Sequence, residues 1–213
     1  MRHGSLDRRK HLRALRSFVL LAVVLFAGCT TLKRCAYEGI GRDKWQHPER
    51  VVRSLGIRPG DHVADLGSGG GYFTFRLAKA VGPTGRVYAV DVDEGLNEYV
   101  ANRAQQEGHA NIEVILAKYH DPLLPASGVD LIFTSNTYHH IKNRVSYFAN
   151  ASKYLRAKGR VAIIDFNGKG WFQSLGSHYT PSDIIKREMK EAGYSFEREF
   201  DFLPKQYFLV FSK

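Results

Sequence analysis

Residues Val63 to Thr74 constrain this chain more than any other stretch. An apolar strand closes on Asp65, breaks into Gly67-Ser68-Gly69-Gly70-Gly71 and restarts as a helix. Glycine has no Cβ, so the backbone there can take positive φ and approach a ligand closely. The N–H groups opening the following helix lack intrahelical partners and face the same space. This is a nucleoside-binding turn. A pyrophosphate-binding version follows Gly-x-Gly-x-x-Gly, but counted from Gly67 its third glycine falls on Tyr72. The dinucleotide pattern therefore fails. Asp65 sets a carboxylate beside the turn, which suits a cationic ligand such as a sulfonium carrying an amino-acid tail.

The rest of the chain continues the alternation. A helix is expected to start near His47-Pro48, with Val51, Val52 and Leu55 on one face and proline in the first turn. Strands are expected over 62–66, 86–90, 111–116, 129–134 and 161–165. Helices are expected over 72–81, 94–106, 142–156 and from Thr180-Pro181-Ser182-Asp183 to about Ala192, with Thr180 as the cap. Two β-runs, 195–202 and 207–212, close the chain around Leu203-Pro204-Lys205. Strands alternating with helices imply a parallel sheet covered on both faces, and the last two strands form a hairpin.

The first residues read differently. Of the 31 Lys and Arg, six stand in residues 1–28 beside one acid, leaving 25 against 20 acids beyond, so half of the net charge of +10 belongs to a leader. A body so mildly basic gives no sign of a nucleic-acid partner. The basic segment precedes an apolar run, Phe18 to Ala27, shorter than a membrane span and matched to a signal-peptide core. Phe26-Ala27-Gly28-Cys29 resembles a bacterial lipobox, with Phe26 where Leu is usual. That resemblance implies a lipoprotein signal peptide over 1–28, acylation of Cys29, and a membrane-anchored location in the bacterial cell envelope facing the periplasm. An uncleaved signal anchor is the alternative. With Cys29 modified, Cys35 stands alone and no internal disulfide is expected. Residues 29–46 read as a polar connector and 47–213 as one domain.

Asp65-Leu66-Gly67-Ser68-Gly69-Gly70-Gly71 resembles motif I of the class I S-adenosylmethionine-dependent methyltransferases. The resemblance implies a Rossmann-like α/β fold: a mostly parallel seven-stranded sheet, helices on both faces and a C-terminal β-hairpin. It also implies S-adenosyl-L-methionine as cofactor, held by Asp65, Gly67, Ser68, Gly69, Gly71, Asp91, Val92 and Asn136. In α/β sheets ligands sit at the carboxyl ends of the strands. Asp91 ends the second strand, where a carboxylate accepts both ribose hydroxyls; capping of the helix from Glu94 is its structural alternative. Val92 would pack on adenine. Where the family usually carries an acid after strand three, this chain has Lys118, which cannot accept a hydrogen bond. Backbone near Lys118 and Tyr119, or Asp121, would replace it.

After strand four comes Asn136-Thr137-Tyr138-His139-His140-Ile141. This resembles the small-molecule branch related to ubiquinone and menaquinone biosynthesis methyltransferases. His139 and His140, with Tyr138 beside them, are the candidates for proton transfer to or from a small-molecule acceptor. Two adjacent histidines without a third ligand do not make a metal site. Trp171, Phe172 and Tyr179 are candidates for an aromatic lid, and Arg42 to Trp45 for a segment folding over the cofactor. The function expected is methyl transfer to a small molecule by an exported, lipid-anchored protein. A non-catalytic S-adenosylmethionine-binding protein that kept the fold is the alternative. Fractionation with intact-mass measurement tests the leader: the expected species begins at an acylated Cys29 in the membrane fraction, and an unmodified full-length chain contradicts it.

Overall fold

Strand β1 (His62–Leu66) has no polar alternation, so both its faces must be covered. In the computed structural model, which describes residues 41–169 and 179–213, they are. Ala64 and Leu66 point into one core with Ile132, Val161 and Ile163, while Val63 joins Leu131, Phe133, Ala162 and Ile164 in the other. Successive side chains of a strand alternate faces, and the two cores are that alternation read across the sheet.

The elements follow in the order α1 (Arg42–Gln46), α2 (Pro48–Ser54), β1, α3 (Thr74–Val81), β2 (Arg86–Asp91), α4 (Glu94–Gln106), β3 (Ile112–Leu116) and β4 (Val129–Ser135). A 3-10 turn, Tyr138–His140, leads to α5 (Arg144–Ala151), β5 (Leu155–Phe166), α6 (Ser182–Glu191), β6 (Ser195–Phe200) and β7 (Gln206–Ser212). The seven strands lie in the order β3-β2-β1-β4-β5-β7-β6. Strands β1 to β5 pair in parallel, and β7 runs antiparallel to both β5 and β6. This is the mostly parallel, Rossmann-like methyltransferase fold that the sequence implies. From β1 the chain steps outward to β2 and β3, then returns to β4 on the other side of β1. Loops leaving β1 and β4 therefore diverge, and a crevice opens between them at the strands' carboxyl ends.

Several boundaries differ from the sequence reading. Helix α3 begins at Thr74 rather than Tyr72, because Tyr72 and Phe73 complete the glycine turn. Helix α5 ends at Ala151, a 3-10 turn over Ser152–Tyr154 carries the helical path to within two residues of the expected Arg156, and β5 starts at Leu155 instead of after Lys158-Gly159. Leu155 pairs with Val129 while Arg160 pairs with Leu131, so the residues between them bulge out of the ladder. Lys153 and Tyr154, on that 3-10 turn, bond Asp121 at 2.9 and 2.8 Å. Thr180 does not cap α6: Pro181 holds that position, and no side chain bonds the helix end. Strand β6 stops at Phe200 rather than Phe202. The end of the polar connector, Arg42 to Gln46, is helical, and Gln46 is buried.

Tyr138 belongs to the core, which corrects its place among the candidates for proton transfer. It is fully buried, its ring stacks on Phe148, and its hydroxyl donates to Glu188 Oε2 at 2.8 Å. Arg144 grips the same carboxylate with two hydrogen bonds at 2.7 and 2.8 Å, joining α5 to α6. Among the described residues no helix is long and apolar enough to cross a membrane. The leader and Cys29 lie outside the described residues. Replacing Tyr138 by Phe removes one donor to a charged acceptor and is expected to cost about 1–2 kcal/mol, measured as a lowered urea midpoint with unchanged m-value.

Candidate functional site

The turn after β1 leans sideways across the sheet. The N–H groups of Gly67 and Ser68 both donate to the Val90 carbonyl at the end of β2, at 2.8 and 3.1 Å. Gly67 sits at φ +73°, and a Cβ there would come within 2.1 Å of the Thr137 hydroxyl oxygen, so no side chain fits. The Gly69 N–H donates to Asp91 Oδ2 at 2.9 Å. The other Asp91 oxygen accepts from the Asp93 N–H at 3.0 Å. Helix α4 is capped by Asp93, whose Oδ1 takes the N–H groups of Gly95 and Leu96 at 3.0 and 3.2 Å. Asp91 is thereby released from the capping role and faces the glycine turn.

Asp65 lies beneath the turn, only 3% exposed, with Thr74 Oγ1 donating to its Oδ2 at 2.6 Å. Burial pushes its carboxyl up to about 6, against the pull of the Thr74 hydrogen bond and the Arg42 charge. The Ser68 hydroxyl is buried without a hydrogen-bond partner. On the far side of Asp91, Val92 is 42% and Leu116 51% exposed, so two apolar side chains stand open at the ends of β2 and β3. Lys118 N–H donates to the Asp121 carbonyl and supplies no acceptor there. Asp121, which the sequence offered as one substitute, is already engaged. Its two oxygens already take Leu123 N–H, the Tyr154 hydroxyl and Lys153 Nζ at 2.8–2.9 Å. Burial alone would raise its pKa, but these bonds outweigh it and hold the carboxyl below the usual range.

At the end of β4, Asn136 takes φ +58° and its N–H donates to the Ile164 carbonyl at 2.8 Å. Its side-chain oxygen accepts from Gln206 Nε2 on β7 at 2.6 Å. His139 follows, with Nδ1 2.7 Å from Asp165 Oδ1 and its N–H 3.0 Å from Asp165 Oδ2. The His140 ring packs 4.0 Å from that of His139 and is itself exposed. Helix α1 covers this end. Gln46 Nε2 donates to Ser135 Oγ at 2.9 Å, and Arg42 bonds Gln46 and lies 3.7 Å over the Tyr72 ring. Tyr72 donates to Asp43, and Trp45 reaches Phe166 at the end of β5. Burial pulls the Arg42 guanidinium down to about 10, so it stays charged at neutral pH. Arg42 to Trp45, the segment expected to fold over the cofactor, thus lies against the ends of β4 and β5. Trp171 and Phe172 of the expected aromatic lid lie outside the described residues; Tyr179 is described and 38% exposed.

Three site residues escaped the sequence reading. Asp165 ends an apolar strand just as Asp65 and Asp91 do, so the same sign could have found it. Gln46 and Gln206 carry no local sign: their partners are 89 and 70 residues away. The Asp65 carboxyl titrates near 6 in the folded chain against an ordinary 3.8. Its stabilising contribution is thus complete below about 3.8 and is lost as pH rises through 6. Asp65→Asn keeps an acceptor for Thr74 and removes this dependence. Between pH 8 and pH 5, urea titrations should show wild type gaining about 1 kcal/mol relative to the variant.

Residues 57–198 match a family model described as a methyltransferase domain. The chain is 30% identical over 114 residues to a nocamycin O-methyltransferase from Saccharothrix syringae, covering 54% of this chain and 41% of that protein. It is 29% identical over 118 residues to a ubiquinone/menaquinone biosynthesis C-methyltransferase from Hydrogenovibrio crunogenus, covering 55% and 46%. The chain thus spans under half the length of these two relatives. A solved structure of a SAM-dependent methyltransferase from Aquifex aeolicus superposes with TM-score 0.79 at 23% identity, over 86% of this chain and 97% of that one. The chain belongs to the methyltransferase-domain family, a membership that implies S-adenosyl-L-methionine as its cofactor.

Proposed function

We propose that this protein transfers the methyl group of S-adenosyl-L-methionine to a small organic acceptor. The observation that carries the reading is Asp91 at the end of β2, aimed at the glycine turn, with exposed Val92 and Leu116 beside it. A carboxylate next to two open apolar side chains suits a ribose and its base. The buried, unpartnered Ser68 hydroxyl beside the turn is a further polar atom that a nucleoside ligand would satisfy. In this reading Asp91 takes the ribose hydroxyls, Val92 and Leu116 flank adenine, and Gly67, Ser68, Gly69 and Gly71 bring the backbone close. Asp65 and Asn136 serve the amino-acid end, where the Asp65 charge favours a cationic group. When bound, the cofactor supplies an electrophilic methyl on a sulfonium. The protein's task is then to place the acceptor in line with that methyl and exclude water. Helix α1 over the crevice suits the second task.

The relatives support a small acceptor, since their names concern nocamycin and the biosynthesis of ubiquinone and menaquinone. We propose further that the chain is exported and held at the cell envelope through an acylated Cys29, on the strength of the basic, apolar and small-residue order of its leader. The saturated Asp121 and the cation at Lys118 favour one other reading, a binding protein without turnover. Titration calorimetry with S-adenosylhomocysteine is expected to give micromolar binding. Asp91→Asn should weaken it about 10- to 100-fold, the worth of hydrogen bonds to a charged group. No heat with wild type would sink the cofactor assignment, and binding without turnover on any acceptor would favour the second reading.

A further inference from the structure

His139 and Asp165 form a buried imidazole–carboxylate pair that cofactor binding does not require. The His139 side chain is 4% exposed and Asp165 is fully buried. Asp165 is held by donors from two elements: His139 Nδ1 at 2.7 Å and the N–H groups of His139 at 3.0 Å and Phe166 at 2.9 Å. An ionised carboxylate only accepts hydrogen bonds, so Nδ1 is the ring nitrogen that carries the proton. Nε2 is then left with a lone pair. The ring is fixed in one tautomer and one orientation, with a buried negative charge behind it to compensate the charge acquired when Nε2 takes a proton.

The pair stands at the carboxyl ends of β4 and β5, with His139 on the loop that also carries Asn136, in a setting of flat side chains. The His140 ring is 4.0 Å away and the Phe166 ring 6.1 Å; Phe166 in turn meets Trp45 of α1 at 6.3 Å. Lys205 Nζ lies 5.6 Å over Trp45 and marks the rim. Planar groups on two sides suit a planar acceptor. A base in place suits an acceptor that must lose a proton to become nucleophilic, as a hydroxyl must. An aniline nitrogen carries its lone pair already, and a carboxylic acid is ionised at neutral pH.

Resting on the methyl-transfer reading above, we propose that the acceptor is an aromatic hydroxyl, a phenol or the enol of a hydroxyquinone, and that His139 is its general base with Asp165 as positioning residue. The hydroxyl proton passes to His139 Nε2 as the acceptor oxygen forms its bond to the methyl carbon. The carbon–sulfur bond breaks with its electron pair going to sulfur. The products are an aryl methyl ether, S-adenosylhomocysteine and an imidazolium that returns its proton to water. A general base held in place in this way contributes on the order of 100-fold or more.

The test uses the full chain, S-adenosylmethionine and four probes: catechol, 4-nitrophenol, aniline and benzoate. Wild type should methylate the two phenols in preference to aniline and benzoate. At pH 8, His139→Gln should lower kcat on catechol about 100-fold with little change in KM, and lower it far less on 4-nitrophenol, which at that pH is largely ionised already. Asp165→Asn should show the same pattern, about tenfold. Independently of turnover, nitrogen NMR of histidine-labelled wild type should find His139 with its proton on Nδ1, and Asp165→Asn should lose that preference. A proton on Nε2 in wild type, methyl transfer favouring aniline or benzoate, or equal losses on both phenols would overturn the proposal. Binding of S-adenosylhomocysteine with no phenol methylated overturns this acceptor class and leaves the cofactor reading standing. Failure to bind it removes both.

Discussion

The crevice depends on two hydrogen bonds that the glycine turn makes to a neighbouring strand. With the N–H groups of Gly67 and Ser68 both on the Val90 carbonyl, the chain leaving β1 is tied to the end of β2 instead of rising over its own strand. That tie brings the Gly69 N–H to Asp91, leaves Asp65 beneath the turn, and sets the start of α3 where Thr74 can bond the buried carboxylate. A Cβ at Gly67 would collide with Thr137, so the turn and the β4 loop are built against each other. The acid at the end of β1, the acid at the end of β2 and the loop after β4 are positioned by one local geometry.

Around that geometry the two sides of the crevice differ in character. The β2–β3 side is open and apolar, with Val92 and Leu116 exposed and the nearby acid Asp121 already saturated. The β4–β5 side is closed and polar. Helix α1 lies over it, tied by Gln46 to Ser135 and by the Arg42 contact with Tyr72, and Asp165 holds His139 inside. Burying Arg42, Asp65 and Asp165 in one region costs desolvation energy that apolar residues would not incur. Unlike charges offset part of it: Arg42 draws the Asp65 carboxyl down while burial pushes it up.

Much of this is legible in the sequence. The apolar strands declare themselves because both faces of the central sheet are covered, and the acids that end them stand out against that background. The sequence left Asp91 two roles, ribose contact or cap of α4; the observed bonds from Gly95 and Leu96 give the cap to Asp93. Nothing local marks where the helical path after α5 gives way to β5. The change comes at Leu155, which pairs with Val129 across the sheet. Tyr138 read as a site residue because it adjoins His139, yet on a 3-10 turn adjacent side chains point apart, and this one enters the core.

The sequence by itself determined the sheet, the glycine turn and the acids at strand ends. These rest on backbone preference and on the period of apolar residues, both of which are local. The tertiary structure decided which polar groups meet: Gln46 with Ser135, Asn136 with Gln206, and His139 with Asp165, pairs 89, 70 and 26 residues apart. Such pairs exist only because parallel strands bring the loops that follow them to one edge of the sheet. Register and crossover direction fix that meeting, and no window of sequence contains either.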